Sequence, residues 1–219
     1  MVDILDIENN SPHITKFVFE SHEHMDYDTS VFRRLSAALI NNIYVKKIVL
    51  RIDISHILFA GMEIIKTMAD AMVNNTHVKK LIIYIYSQDD IIQISDVLNI
   101  IKHNTSIEYL KIEGILCSPI KKTRNYNKFI DNSYIWMNLL AEALKMNYSL
   151  KILDLSDLYI NIVHEGMMDI IDALYINQTL ECIMFSEDNQ QSTYMAMLDI
   201  VFENRKLKSI NLFDMLTIN

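Results

Sequence analysis

Glycine and proline are almost missing from this chain, with three and two residues respectively among 219. Against ordinary usage of roughly 7% and 5%, that shortage excludes collagen-like and flexible linker segments. Three glycines cannot build a phosphate-cradling loop, and no GxGxxG, Walker, GxSxG or HExxH string occurs. Cys117 and Cys182 are the only cysteines and form no CxxC pair. A cysteine-based metal or redox motif is therefore excluded, and a reducing, cytoplasmic compartment is the default expectation. No stretch reaches the ~18 uncharged apolar residues of a membrane span. Residues 1–8 are acidic and lack the basic, then apolar, order of a secretion signal. No cofactor, small-molecule substrate or enzymatic reaction is expected.

What is present is a large apolar fraction, 51%, enough for a sizeable core in one continuous body spanning residues 1–219. The net charge of −8 speaks against a phosphate-binding surface as a whole, so nucleic acid is not the expected partner. The charge is uneven. Residues 1–30 carry seven acids and one base, 31–138 nine acids and fourteen bases, and 139–219 twelve acids and five bases. Heavy use of Ile, Asn, Lys, Tyr and Met suggests an AT-rich genome. A virus or intracellular pathogen acting on a host protein is the corresponding expectation.

The apolar residues fall into a comb. An Asn is followed by apolar side chains three, six and eight positions on. Asn42 leads to Val45, Ile48 and Leu50; Asn75 to Val78, Leu81 and Ile83; Asn104 to Ile107, Leu110 and Ile112. Asn147 leads to Leu150, Leu153 and Leu155, Asn177 to Leu180, Ile183 and Phe185, and Asn204 to Leu207, Ile210 and Leu212. A degenerate first copy runs from Ser11 through Ile14, Phe17 and Phe19, in an irregular N-terminal repeat of about residues 1–28. Recurrence at such a period is the mark of a repeat architecture. The last two apolar positions, two apart, point to one face of a short strand. Before each Asn the spacing turns to three and four, as in Phe32, Leu35, Ala38 and Leu39 or Leu139, Leu140, Ala143 and Leu144, which predicts an amphipathic helix. The Asn is expected in a left-handed conformation at the helix end.

Helix, Asn turn and strand thus form a unit that buries its apolar face only against its neighbours. The fold class is α/β, a curved solenoid of about seven helix–strand repeats with a parallel sheet on the concave face and helices on the convex face. The stretches Asn147-Tyr-Ser-Leu-Lys-Ile-Leu-Asp-Leu155, Asn104-Thr-Ser-Ile-Glu-Tyr-Leu-Lys-Ile112 and Asn177-Gln-Thr-Leu-Glu-Cys-Ile-Met-Phe185 resemble the ribonuclease-inhibitor-like class of leucine-rich repeats. The resemblance covers about residues 11–216. That family's second Asn or Cys, three positions after the last strand apolar, is replaced here by His22, Asp53, Tyr86, Ile115, Leu158, Asp188 and Met215. An irregular turn without the family's buried Asn ladder is the expectation.

One step between repeats, 43 residues, is longer than the rest, and the excess falls at about 117–133. Insertions in repeat arrays form rim loops, and this one carries Lys121, Lys122, Arg124 and Lys128. It is an accessory contact candidate. The main candidate is the concave face, where such arrays bind, with Lys47, Arg51, Lys80, Tyr84, Tyr109, Lys111 and Asp154 as partner-binding residues. His22, Glu23, His24, Asp26 and Asp28 form an acidic turn and not a metal site, since no second cluster completes the ligand set. The expected role is non-catalytic binding of a partner protein. Alternatives are regulation of a small GTPase, by analogy of architecture only, a ubiquitin-ligase adaptor, or a structural, self-assembling protein. A homodimer through an exposed terminal strand belongs with the last.

Overall fold

A computed structural model describes residues 4–20, 29–53, 58–86, 94–115, 126–159, 164–185 and 207–212. The comb becomes a parallel sheet. Its strands are β1 (Lys16–Glu20), β2 (Lys47–Asp53), β3 (Lys80–Tyr86), β4 (Tyr109–Ile115), β5 (Ile152–Leu155), β6 (Leu158–Tyr159), β7 (Cys182–Phe185) and β8 (Ser209–Leu212). The order β1-β2-β3-β4-β5-β7-β8 follows the sequence, with β6 pairing β4 beside the main path. The helices between them are α1 (Ile4–Glu8), α2 (Thr29–Asn41), α3 (Leu58–Asn74), α4 (Ile94–His103), α5 (Tyr126–Met146) and α6 (His164–Ile176). Each packs on the next, from α1 on α2 through α5 on α6. This is an α/β repeat solenoid.

Register follows the apolar teeth. Phe17, Ile48, Leu81, Leu110, Leu153, Ile183 and Ile210 are successive partners across the sheet. A slip of one residue would turn every tooth to the opposite face, so burial of one face pins the pairing. The helices complete the core with Phe32, Leu35 and Leu39, then Ile64, Met68 and Met72, then Leu98 and Ile101, and finally Met167, Ile170 and Leu174. Leu139 departs from expectation. It is exposed, and the buried stripe of α5 runs through Trp136, Met137, Leu140 and Leu144 instead.

The Asn at each helix end also departs from expectation. Among the described non-glycine residues only Asn10 has a left-handed backbone, at φ 52°. There the amides of Asn10 and Ser11 return to the carbonyls of Ile7 and Asp6, closing α1 in the Schellman pattern. Asn42, Asn75, Asn104, Asn147 and Asn177 keep ordinary backbones and work through their side chains, all nearly fully buried. Each Oδ1 accepts the amides two and three residues on, for example Ser149 at 2.9 Å and Leu150 at 2.7 Å for Asn147. Each Nδ2 donates backwards to the preceding repeat. Asn75 reaches Leu39 O at 2.6 Å, Asn147 reaches Ile101 O at 2.6 Å, and Asn177 reaches Leu144 O at 2.7 Å and Asn147 O at 3.0 Å.

A buried Asn ladder therefore exists, but at the helix end and not in the turn after the strand. The hydroxyl two residues on joins it, since Ser106 and Ser149 donate to the carbonyls of Asn75 and Asn104, both at 3.1 Å. That geometry explains why Asn104, Asn147 and Asn177 spell Asn-x-Ser/Thr. Their amide nitrogens are occupied and buried, which leaves no acceptor for a glycan.

Two local features were not legible beforehand. Residues 126–133, expected within the inserted loop, form the first turns of α5, so Lys128 stands on a helix. The stretch has neither glycine nor proline, and once the packed part of α5 is nucleated its extension adds one bond per residue. After β5, a turn at Ser156 and Asp157 leads into β6. Asp157 O accepts the amide of Gly114 at 3.0 Å, and Gly114 has φ 135°, a conformation that only glycine adopts freely. Leu158, standing where the resembled family has Asn or Cys, is buried in the core.

Candidate protein-binding face

Side chains alternate across each strand, so the residues between the teeth share the concave face. Lys47, Val49 and Arg51 come from β2, Lys80, Ile82 and Tyr84 from β3, and Tyr109, Lys111 and Glu113 from β4. Ile152 and Asp154 follow from β5. The register converts these into rows running across the strands. One row reads Lys16, Lys47, Lys80, Tyr109, Ile152 and Cys182, and the next Val18, Val49, Ile82, Lys111, Asp154 and Met184. A third reads Glu20, Arg51, Tyr84 and Glu113. All seven residues expected on this face lie on it.

They are also tied to one another. The Arg51 guanidinium lies over the Tyr84 ring, 4.9 Å from its centroid, and reaches Glu20 at 3.4 Å. The Lys80 ammonium sits 3.7 Å from the Tyr109 centroid, close enough for a cation–π attraction. The Tyr109 hydroxyl donates to Asp154 Oδ2 at 2.9 Å, and Asp154 Oδ1 takes the Ser156 hydroxyl at 2.7 Å and its amide at 3.2 Å. Asp154 is 7% exposed, so a carboxylate held in the sheet is the hub of the cluster. Buried carboxylates need such partners. Lys111 bridges Glu113 at 3.3 Å and makes a short contact with Asp157.

The charges respond accordingly. Burial, with the hydrogen bond to Asp154, pushes the Tyr109 phenol up to about 12. Burial lowers the Lys80 ammonium from its ordinary value, and the nearby charge of Lys47 lowers it further. Burial acts the same way on Lys111, but hydrogen bonds to Asp157 and Glu113 and the charge of Asp154 outweigh it and hold that ammonium above its usual range. The face is basic and aromatic at its N-terminal end and charge-compensated at its centre.

Lys16, Val18 and Glu20 also lie on this face, in a first repeat whose irregular spacing hides them. The signal was present. Lys16 stands five residues after Ser11, as Lys47 does after Asn42 and Lys80 after Asn75. Lys121, Lys122 and Arg124, and the acidic turn from His22 to Asp28, lie outside the described residues. Among the described residues no three His, Cys, Asp or Glu side chains could hold a metal. Nor, among them, is any helix long and apolar enough to cross a membrane.

By sequence, the chain matches no protein-family model and no curated protein. By structure, it is similar to the tropomodulin C-terminal domain of Caenorhabditis elegans, with a TM-score of 0.49 and 10% identity, covering 92% of this chain and 90% of that one. It is also similar to leiomodin-1 Actin-Binding Site 2, with a TM-score of 0.38 and 12% identity over 92% and 86% of the two chains. The backbone pairing itself shows the architecture: an open parallel sheet and helices repeated in chain order.

Proposed function

We propose that this chain is a non-catalytic, intracellular leucine-rich-repeat module of the ribonuclease-inhibitor-like class that binds a partner protein through its concave face. The observation that carries the reading is the cross-strand cluster Lys80–Tyr109–Asp154 with its neighbours Arg51–Tyr84 and Lys111. Its side chains are held by mutual contacts on a rigid sheet, so little rotamer freedom remains to be lost on binding. Tyr and Arg, prominent here, are the residue types that dominate interface energetics. Residue usage extends the proposal to a host-cell protein as the partner.

Charge reversal at Lys47, Arg51, Lys80 and Lys111 together is the test. In affinity purification from host-cell extract with quantitative mass spectrometry, the specifically captured partner should be lost while circular dichroism stays native. Undiminished capture would remove the concave face as the contact surface.

A further inference from the structure

Fourteen Lys and Arg side chains are described, and eight of them meet a carboxylate: Arg33, Arg34, Arg51, Lys79, Lys111, Lys145, Lys151 and Lys208. Three that meet none among the described residues are aligned. Lys16 faces Lys47 and Lys47 faces Lys80 in the pairing of β1, β2 and β3. Like charges placed opposite each other across strands are destabilising. Lys80 turns its ammonium over the Tyr109 ring, where burial and then the charge of Lys47 lower its affinity for its proton against the attraction of Asp154. A row of this kind weakens the isolated fold and is relieved by carboxylates arriving from outside. Directly beside it runs the apolar row Val18, Val49 and Ile82, in which Val49 and Ile82 are covered by their neighbours and Val18, 37% exposed, is the open member.

We infer that the N-terminal third of the concave face binds an acidic amphipathic helix of the partner, laid across β1, β2 and β3 with its carboxylates on Lys16, Lys47 and Lys80. The inference rests on the concave face being the contact surface. Spacing fits a helix. Strands ~4.8 Å apart put the outer lysines ~10 Å from each other along the row. Carboxylates at i, i+4 and i+7 of a helix rise by ~1.5 Å per residue and span ~10.5 Å on one side. An extended segment showing alternate residues to the same side covers ~13 Å over three of them. A helix also offers an apolar side chain next to its acidic stripe, which would cover the exposed Val18.

The probe is an alanine-rich helical peptide with glutamates at i, i+4 and i+7 beside a leucine stripe. Its control has the same composition with glutamates spread around the helix. Titration into the isotope-labelled chain, followed by amide NMR shifts, should move residues of β1, β2 and β3 and saturate with the ordered peptide. Lys16→Gln, Lys47→Gln and Lys80→Gln combined, which leaves Arg51 and Lys111 in place, should weaken it about fivefold or more. Equal binding of the control peptide, tighter binding of an oligodeoxynucleotide, or no effect of the triple variant would overturn the inference. In partner capture the two readings separate. If charge reversal at Lys47, Arg51, Lys80 and Lys111 abolishes capture and the triple glutamine variant does not, the row is not the contact and the module reading stands. If charge reversal leaves capture intact, the concave face itself is not the surface.

Discussion

Replacing Asn104 by Ala removes one rung of the buried ladder and tests whether the ladder or the apolar teeth dominate stability between repeats. The Asn104 carboxamide accepts the amides of Ser106 at 2.8 Å and Ile107 at 2.6 Å. It donates to Asn75 O at 2.9 Å and, by a shorter bond, to Met72 O. Met72 O and the amides of Ser106 and Ile107 lose their partner in a site almost closed to solvent, while Asn75 O keeps a share of the Ser106 hydroxyl, which also faces Val78 O at 2.9 Å. Each buried orphan costs ~1–3 kcal/mol. Three such groups cost about 3–9 kcal/mol, and with local relaxation a loss in the lower half, about 3–5 kcal/mol, is expected, a large share of the ~5–15 kcal/mol that holds an ordinary domain folded. In urea titrations the midpoint should fall by about 1–2 M at unchanged slope. Asn74→Ala is the control, because that side chain is exposed and bonds only its own helix, at Asp70 O. It should stay within ~0.5 kcal/mol of wild type. Asn104→Asp separates the two halves of the rung, since it keeps the acceptor and aims a charge at carbonyl oxygens. Burial beside the Met72 and Asn75 carbonyls should raise its carboxyl pKa on folding, so its stability should be highest below about pH 4, the ordinary Asp value, and fall as the pH rises above it. An Asn104→Ala variant as stable as Asn74→Ala would refute the ladder argument.

Other expectations follow from single contacts. A Cβ on Gly166 would stand 2.7 Å from Met137 Cβ, where α6 crosses α5. Gly166→Ala should therefore be destabilising despite ~1 kcal/mol of helix propensity in its favour, because overpacking costs ~1–3 kcal/mol; a raised melting temperature would contradict the close crossing. Tyr109 binds its proton more tightly when folded, its phenol lying at about 12 against the ordinary 10.0. Its contribution is thus complete below pH 10 and fades as the pH climbs toward 12. The difference in stability between wild type and Tyr109→Phe should shrink over that window, and a constant difference in alkaline denaturation would count against the Asp154 bond. Lys47→Met, which breaks the like-charge row, should raise the urea midpoint of the unbound chain at low salt, and a lowered midpoint would show the row is not strained.

Much of the fold was legible because one-sided burial writes itself into spacing. The six- and eight-residue intervals after each Asn fix which strand residues share a face, and the sheet register follows from them. The role of the Asn differs from expectation for a physical reason. Asn tolerates left-handed backbone and also carries a two-sided hydrogen-bonding group, and position alone does not say which property is used. Asn10 uses the first and Asn42 to Asn177 the second. What Asn147 touches, Ile101 O and Asn104 O, lies more than forty residues upstream, beyond the reach of a local pattern. The concave candidates were legible singly, by alternation. That Tyr109 reaches Asp154, two residues along a neighbouring strand, depends on a diagonal across the register. Leu139 shows the limit of periodicity, since a wide apolar stripe does not say which edge faces the core.

The ladder is directional. The Nδ2 of each described helix-end Asn of the ladder donates to carbonyls of the repeat before it, as Asn42 does to Ile7 at 3.2 Å and Asn177 to Leu144 at 2.7 Å. A repeat is thus complete once its predecessor exists and needs nothing from its successor to satisfy its own Asn. Growth on the ribosome adds repeats in that same order, so each newly emerged Asn finds its acceptors already in place. Cutting the array from the C-terminal side would leave the remaining rungs intact, whereas deletion from the N-terminal side would strand a buried amide at every cut. The ladder's rungs can thus close in the order in which the chain is made.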